Sequence, residues 1–145
     1  MPSKSELPTS VPSSIDLALT DMDGATLDLA SDLASGRPVV LVFWQTWCGS
    51  CRAEAPELVR AVERLGERAH FVGVIPGPDG LVDDDEVRAT ALDWKLPYAQ
   101  VRDRENALTG GLGVEGTPTI IVIGPDRSVR YRGHRLPSDW DSLLR

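Results

Sequence analysis

The sequence predicts an α/β fold in which helices flank a mixed central β-sheet. Three apolar runs have the length and composition of buried strands, and they lie at 39–44, 71–75 and 119–123. An unbroken run of β-branched and aromatic residues suits a strand that is covered on both faces. Segments with helical patterning separate these runs, and this alternation favours a sheet sandwiched between helices.

The first 14 residues have the composition of a flexible tail. Three prolines and five serines lie in residues 1–14, and the segment has little apolar periodicity. We therefore expect one folded domain over residues 15–145, a length that is ordinary for a single domain. A chain of 145 residues can bury a sizeable core without disulfide support.

The domain is predicted to open with a small β-hairpin. Apolar and polar residues alternate over 15–20 and again over 25–29, and Asp23-Gly24 supplies the turn between them. Pro56 lies inside the longest helical pattern and predicts a kink there. The elements expected after the hairpin are a short helical or irregular piece at 31–35, a strand at 39–44, a helix at 50–65, a strand at 71–75, a helix at 83–95, a strand at 98–101, a helix at 105–112, paired strands at 119–123 and 128–132, and a helix at 136–144.

The overall charge argues against a polyanionic partner. Asp and Glu outnumber Lys and Arg by 22 to 15, which gives a formal net charge of −7, so nothing in the bulk charge favours binding to nucleic acid. No apolar run approaches the roughly 18 residues that a membrane-spanning helix needs, and we expect no membrane insertion. The first residues lack a secretory signal, which fits either a cytoplasmic protein or an extracytoplasmic domain whose leader has been removed.

Both cysteines of the chain lie in one short motif, Cys48-Gly49-Ser50-Cys51, where the first buried strand is followed by the long helix. The unpaired N–H groups and the positive dipole end of a helix N-terminus stabilise a thiolate and lower the pKa of a cysteine placed there. Cys48 is therefore the expected nucleophile. Cys51 lies one helical turn deeper, and its thiol is the expected resolving group.

This spacing predicts thiol-disulfide exchange. Cys48 attacks a substrate disulfide and forms a mixed disulfide, and Cys51 then displaces the reduced product; the reverse sequence oxidises a dithiol. Two structural alternatives explain the motif less well. A disulfide that closes so short a loop constrains little of the unfolded chain, and a zinc site needs two further ligands when only His70 and His134 remain, far away in sequence. We expect neither a metal ion nor another cofactor.

The residues around the cysteines and a second motif far downstream resemble the thioredoxin superfamily. A C-x-x-C pair near a β-α-β pattern is a signature of thioredoxin-like proteins. The resemblance extends over about residues 15–145 and implies a thioredoxin-like fold. The two motifs that carry it are Phe43-Trp44-Gln45-Thr46-Trp47-Cys48-Gly49-Ser50-Cys51 and Thr117-Pro118-Thr119.

The same resemblance implies a substrate-binding surface beside the cysteines. In the superfamily the proline that faces the cysteines follows a cis peptide bond, and Pro118 has its position in the motif. The backbone of the preceding residue, here Thr117, pairs with the bound substrate chain in the superfamily. The residues expected to contact the substrate are Trp47, Gly49, Ser50, Thr117 and Pro118.

Three features resemble the TlpA/ResA-type branch of the superfamily: the N-terminal hairpin, an αβ segment inserted at 76–102, and the sequence at 51–56. In that branch a glutamate three residues after the second cysteine lies near the thiols, and Glu54 has that position. Glu54 either exchanges protons with Cys51 or is a solvated residue of the first helical turns, where its charge suits the helix dipole. Val42 stands where plain thioredoxin has a buried aspartate.

The resemblance implies a thiol-disulfide oxidoreductase, an enzyme that acts on protein thiols and disulfides. For a TlpA-like protein the implied role is that of a bacterial, extracytoplasmic or periplasmic reductant of protein disulfides, with apocytochrome c during haem attachment as one substrate, and we expect a monomer. One alternative is a peroxiredoxin-like thiol peroxidase, which needs a hydroxyl residue three positions before the cysteine, where this chain has Gln45. The other is a non-enzymatic, redox-sensing binding module.

Overall fold

Strands and helices follow one another in the structure in the order that the sequence predicts. The computed structural model describes residues 7–145, so residues 1–6 of the expected tail lie outside the described residues. The elements of the described chain are β1 (Ala18–Thr20), β2 (Thr26–Asp28), α1 (Leu29–Ala34), β3 (Val39–Phe43), α2 (Gly49–Leu65), β4 (His70–Pro76), α3 (Asp84–Asp93), β5 (Ala99–Asp103), α4 (Ala107–Gly111), β6 (Thr119–Ile123), β7 (Val129–Gly133) and α5 (Trp140–Leu143).

Two sheets are formed from these strands. The strands β1 and β2 pair as an antiparallel hairpin, and β5-β4-β3-β6-β7 form one sheet in that order. Within it, β3, β4 and β5 are parallel, whereas β6 and β7 run antiparallel to their neighbours. The predicted mixed sheet with an N-terminal hairpin is confirmed.

The strand β3 lies at the centre of the sheet, and its neighbours are the other two apolar runs. It pairs with β4 from Val39 opposite His70 to Phe43 opposite Val74, and with β6, where Phe43 lies opposite Thr119. Every residue of β3 and β6 is buried. The end of β3 and the start of β6 therefore meet at one edge of the sheet, and both predicted motifs adjoin this edge.

Alternate residues of β3 point to opposite faces of the sheet and divide the core into two layers. On one face, Leu41 belongs to a buried cluster that includes residues of α1 and α4. On the other face, Val42 belongs to a cluster with residues of α2 and α5. There the rings of Phe71 and Trp140 lie 5.6 Å apart and are tilted by 52°, a favourable geometry for an aromatic pair. Helices thus cover both faces.

The longest helix, α2, has 17 residues and begins directly after Cys48, which is its N-cap. It is continuous at Pro56, and the kink expected there stays a prediction. Its buried side includes Cys51 and Leu58, so the helix that carries the motif is held against the sheet. Among residues 7–145, neither this helix nor any other is both long and apolar enough to cross a membrane.

The last helix is shorter than the predicted 136–144. The Asp139 carboxylate accepts a hydrogen bond from the Ser142 N–H and caps α5 at its start. Before it, the Leu136 N–H donates to Glu54 Oε1 at 2.8 Å. Residues just before α5 are thus tied to α2, and the helix begins after its Asp139 cap.

The N-terminal boundary of the domain also differs from the prediction. Val11 is 5% exposed and belongs to the core. Its N–H donates to the Arg127 carbonyl at 2.9 Å, and the Val129 N–H donates to the Thr9 carbonyl at 2.8 Å. Residues 9–11 therefore belong to the folded domain, so the flexible tail does not extend to residue 14. One buried valine among polar residues produces no periodicity, and the sequence pattern could not reveal it.

Replacing Val11 by aspartate should lower the free energy of unfolding by about 2–4 kcal/mol, because an unpaired charge would enter the core. The measurement is urea unfolding followed by circular dichroism, with the midpoint compared at constant slope. Ser13→Asp is the matched control, since it adds the same charge at an exposed position. Equal midpoints for the two variants would contradict the assignment of residues 9–11 to the folded domain.

Candidate active site

Cys48 lies in the connection between the central strand β3 and helix α2. Its backbone is extended, with φ −88° and ψ 106°, and it caps the helix. The Cys48 Sγ accepts a hydrogen bond from the Cys51 N–H at 3.1 Å. The sulfur thus has the position that a side-chain oxygen takes in an ordinary N-cap. There it faces the positive end of the dipole of a 17-residue helix.

The two cysteines form a disulfide, and their Cα atoms are 5.2 Å apart. Cys51 is 3% exposed, whereas Cys48 is half-buried. Trp47 is 56% exposed beside it, and Gly49 and Ser50 are exposed as well. Cys48 therefore presents the accessible side of the disulfide, and Cys51 is shielded.

The second motif lies next to the disulfide, because β6 pairs with β3 and starts at the same edge of the sheet. The Thr117–Pro118 peptide bond is cis. Pro118 is buried, and together with Cys51 it lines a small cavity behind the disulfide. Thr117 is half-buried. Sequence positions far apart in the chain are thus joined in one site.

His134 contacts the loop that carries the cis peptide bond. Its ring Nδ1 lies 2.9 Å from the Pro118 carbonyl oxygen. A carbonyl oxygen only accepts, so this contact requires the proton to be on Nδ1. The Thr119 hydroxyl donates to the Gly116 carbonyl at 2.6 Å and closes the same loop. Sequence reasoning missed this role of His134, since nothing in the sequence pairs it with Pro118.

Glu54 is half-buried one turn after Cys51 on α2 and lines the same cavity. One of its oxygens, Oε1, accepts the Leu136 N–H at 2.8 Å. Burial and, secondly, the nearby Glu54 charge raise the pKa of Tyr131 above its ordinary value. Glu54 thus shares a cavity lining with Cys51, and the Leu136 N–H fixes its orientation.

The cavity behind the disulfide has a volume of about 10 Å³, close to the least that one water molecule needs. The Trp44 indole in its wall donates to Gln100 Oε1 at 2.8 Å and lies 5.3 Å from the Trp94 ring. No sequence motif links the residues near Trp94 with the cysteines, so sequence reasoning missed them. The lining residues are Val42, Trp44, Cys51, Glu54, Leu58, Trp94, Leu96, Tyr98 and Pro118.

The two histidines do not join the cysteines. His70 Nδ1 contacts Asp32 Oδ2 at 2.7 Å, at the start of β4 and so at the opposite end of the sheet from the disulfide. His134 contacts Pro118 instead. Within residues 7–145, no group of three or more His, Cys, Asp or Glu side chains is arranged to hold a metal ion.

The mixed sheet, the disulfide at the start of α2 and the adjacent cis peptide bond define a thioredoxin-like protein with a C-x-x-C site. The chain belongs to the AhpC/TSA family, whose model matches residues 12–132. This match covers most of the described chain, including both motifs.

Curated relatives of this chain include two thiol:disulfide interchange proteins named DsbE. The protein of Pseudomonas aeruginosa is 32% identical over 102 residues, which are 67% of this chain and 51% of the relative. The protein of Escherichia coli K12 is 32% identical over 123 residues, 80% of this chain and 60% of the relative. The chain therefore spans between about half and three fifths of the length of these relatives.

Solved structures give the same fold. A secreted disulfide oxidoreductase of Mycobacterium tuberculosis, described as homologous to E. coli DsbE, superposes with a TM-score of 0.70 at 23% identity and covers 89% of this chain and 92% of its own. DsbF of the same organism superposes with a TM-score of 0.71 at 25% identity and covers 93% of this chain and 95% of its own. The predicted thioredoxin-like fold is confirmed.

Proposed function

We propose that this protein is a thiol-disulfide oxidoreductase in which Cys48 and Cys51 alternate between disulfide and dithiol. The observation that carries the proposal is the Cys48 sulfur at the N-terminus of α2, where it accepts the Cys51 N–H. This environment favours the thiolate form of a reduced cysteine. The thiolate is the reactive form in disulfide exchange. The likeness to thiol:disulfide interchange proteins supports the same activity.

In the reducing direction, the Cys48 thiolate attacks one sulfur of a substrate disulfide. That disulfide breaks, one substrate sulfur leaves as a thiolate, and Cys48 is joined to the other in a mixed disulfide. The Cys51 thiolate then attacks the Cys48 sulfur and releases the second substrate thiolate. Two electrons have passed to the substrate, and the Cys48–Cys51 disulfide is formed. The oxidising direction runs through the same steps in reverse.

Glu54 is proposed as the proton acceptor for Cys51 during resolution. A buried thiol must lose its proton before it can attack, and burial disfavours the thiolate. Glu54 lines the same cavity as Cys51, and its orientation is fixed by the Leu136 N–H. A carboxylate held beside a buried thiol can take up that proton.

The substrate chain is proposed to lie across the exposed edge of the site. Trp47, Gly49 and Ser50 surround Cys48 at the surface. Thr117 precedes the cis peptide bond, and its backbone is proposed to pair with the substrate. The Nδ1–H of His134 donates to the Pro118 carbonyl, so it holds the loop in place.

The substrates are proposed to be disulfides of extracytoplasmic proteins, with apocytochrome c among them. The DsbE names and a 28% identical relative named "Soluble secreted antigen MPT53" support this location. The same proposal includes a monomer and an upstream protein electron donor. The net charge of −7 supports proteins over nucleic acids as partners.

Catalytic reduction of insulin tests the proposed activity. With dithiothreitol as the electron donor, we expect reduction at least about tenfold faster than with dithiothreitol alone, because the Cys48 thiolate is the better nucleophile.

Peroxide consumption, measured at the same protein concentration, should stay at the background rate. The peroxidase pattern needs a hydroxyl where Gln45 stands, and the Gln45 amide donates to the Pro76 carbonyl instead. Rapid peroxide consumption with slow insulin reduction would favour the peroxidase, and loss of both would favour a binding module.

A further inference from the structure

Tyr98 lies between α3 and β5 and reaches the cavity behind the disulfide. Its hydroxyl oxygen is buried and has no hydrogen-bond partner among residues 7–145. Buried hydroxyl groups nearly always have a partner, because an unpaired one loses its hydrogen bonds to water. An unpaired hydroxyl next to a reactive disulfide therefore calls for a functional explanation.

The cavity wall offers few groups that can accept a hydrogen bond from this hydroxyl. Val42 and Pro118 present apolar side chains there, and the Trp44 indole is a donor already bound to Gln100. Among the residues that line the cavity, Cys51 and Glu54 carry side-chain atoms that can accept a hydrogen bond.

The acceptor strength of the Cys51 sulfur changes during the reaction. In the disulfide it is a weak acceptor. When the disulfide opens it carries a full negative charge in a buried site, where an unpaired charge is unfavourable. The Cys51 N–H donates to the Cys48 sulfur and not to its own. A donor from elsewhere in the fold would therefore stabilise the thiolate when it forms.

We propose that the Tyr98 hydroxyl is that donor and that it bonds the Cys51 thiolate once the disulfide has opened. The inference rests on the proposed function. A substrate thiolate attacks the Cys48 sulfur, the Cys48–Cys51 bond breaks, and its electron pair goes to the Cys51 sulfur. Tyr98 keeps its proton throughout, and the thiolate later takes a proton from solvent.

Burial keeps Tyr98 in the form that this role needs. The surrounding protein raises the pKa of Tyr98 above its ordinary value, so the hydroxyl stays protonated and can donate over the whole neutral range. The titratable groups in the cavity wall are Cys51 and Glu54 from α2 and Tyr98 from the segment before β5. Strands β3 and β6 contribute no titratable side chain to this wall.

Tyr98→Phe tests the proposal because it removes only the hydroxyl. We expect dithiothreitol to open the disulfide about tenfold more slowly at pH 7, as a lost hydrogen bond to a charged group predicts. In a Cys48→Ser background, the same change should raise the pH midpoint of Cys51 alkylation by about one unit. Stopped-flow tryptophan fluorescence measures the rate at which the disulfide opens. Iodoacetamide labelling measures the pH midpoint of Cys51 alkylation.

Tyr131→Phe is the matched control, since its hydroxyl donates to the Arg135 carbonyl and it does not line the cavity. Tyr131→Phe should change neither the rate of disulfide opening nor the pH midpoint of Cys51 alkylation. Unchanged opening and alkylation in Tyr98→Phe would overturn the inference, and so would a large loss of unfolding free energy, which would indicate a structural partner for the hydroxyl. The alkylation reading needs no turnover. It therefore separates failure of this inference from failure of the proposed function, which the insulin assay tests.

Discussion

Cys48→Ser should reduce insulin turnover to the rate of dithiothreitol alone, a loss of at least about 1,000-fold in the protein-dependent rate. A serine hydroxyl at the helix N-terminus accepts the Cys51 N–H as an ordinary N-cap, so the helix keeps its cap. It cannot form a mixed disulfide, however, because it has no sulfur. The variant thus separates the chemistry of the sulfur from its contribution to the fold.

The unfolding midpoint of Cys48→Ser in urea serves as the control for this variant. Replacing the sulfur also removes the disulfide, so the reduced wild-type protein is the proper reference for urea unfolding. We expect the two unfolding midpoints to be close, since serine caps helices well. A folded Cys48→Ser protein that still reduces insulin at the wild-type rate would contradict Cys48 as the nucleophile.

The parts of the fold that the sequence predicted correctly depend on local patterns. The strand at 39–44 was recognisable because apolar residues run without interruption, and such a strand can only lie inside a covered sheet. The position of Cys48 was recognisable because a strand ends and a helix begins around it. Neither inference required knowledge of residues elsewhere in the chain.

The parts that could not be predicted depend on contacts between distant residues. Glu54 accepts the N–H of Leu136, 82 positions away. His134 donates to Pro118 from the far end of β7. Single residues such as Val11 and Tyr98 carry no periodic signal, so only the folded chain reveals that one fills the core and the other lines the cavity behind the disulfide.

Position 42 carries valine instead of an acidic residue, and this difference bears on the cavity that Glu54 and Tyr98 line. Plain thioredoxin has a buried aspartate at this position, and the apolar side chain of Val42 cannot accept a proton. The cavity wall contains Val42 together with Glu54 and Tyr98, which come from α2 and from the segment before β5. The residues with polar side chains that line this cavity thus come from other elements, whereas the strand contributes only an apolar side chain.

Cys51→Ser should convert the protein into a trap that accumulates mixed disulfides through Cys48. The first half of the exchange needs only the Cys48 thiolate, which keeps its helix N-terminus. The second half needs a thiol at position 51, so the covalent complex stays unresolved. We expect complexes that persist on a non-reducing gel, with at least about 100-fold slower release of the substrate than from the wild type, and that dissociate on adding dithiothreitol.

Defined substrates allow the trap to test the proposed specificity as well. An oxidised peptide with the C-x-x-C-H sequence of c-type haem attachment sites should be captured faster than a peptide of the same composition with its histidine moved away. Cys48→Ser should capture neither. Equal capture of both peptides would contradict apocytochrome c as a preferred substrate and leave the oxidoreductase activity intact. Failure of Cys51→Ser to capture either peptide would contradict the assignment of Cys48 as the attacking thiol, because its exposed side is where the substrate must arrive.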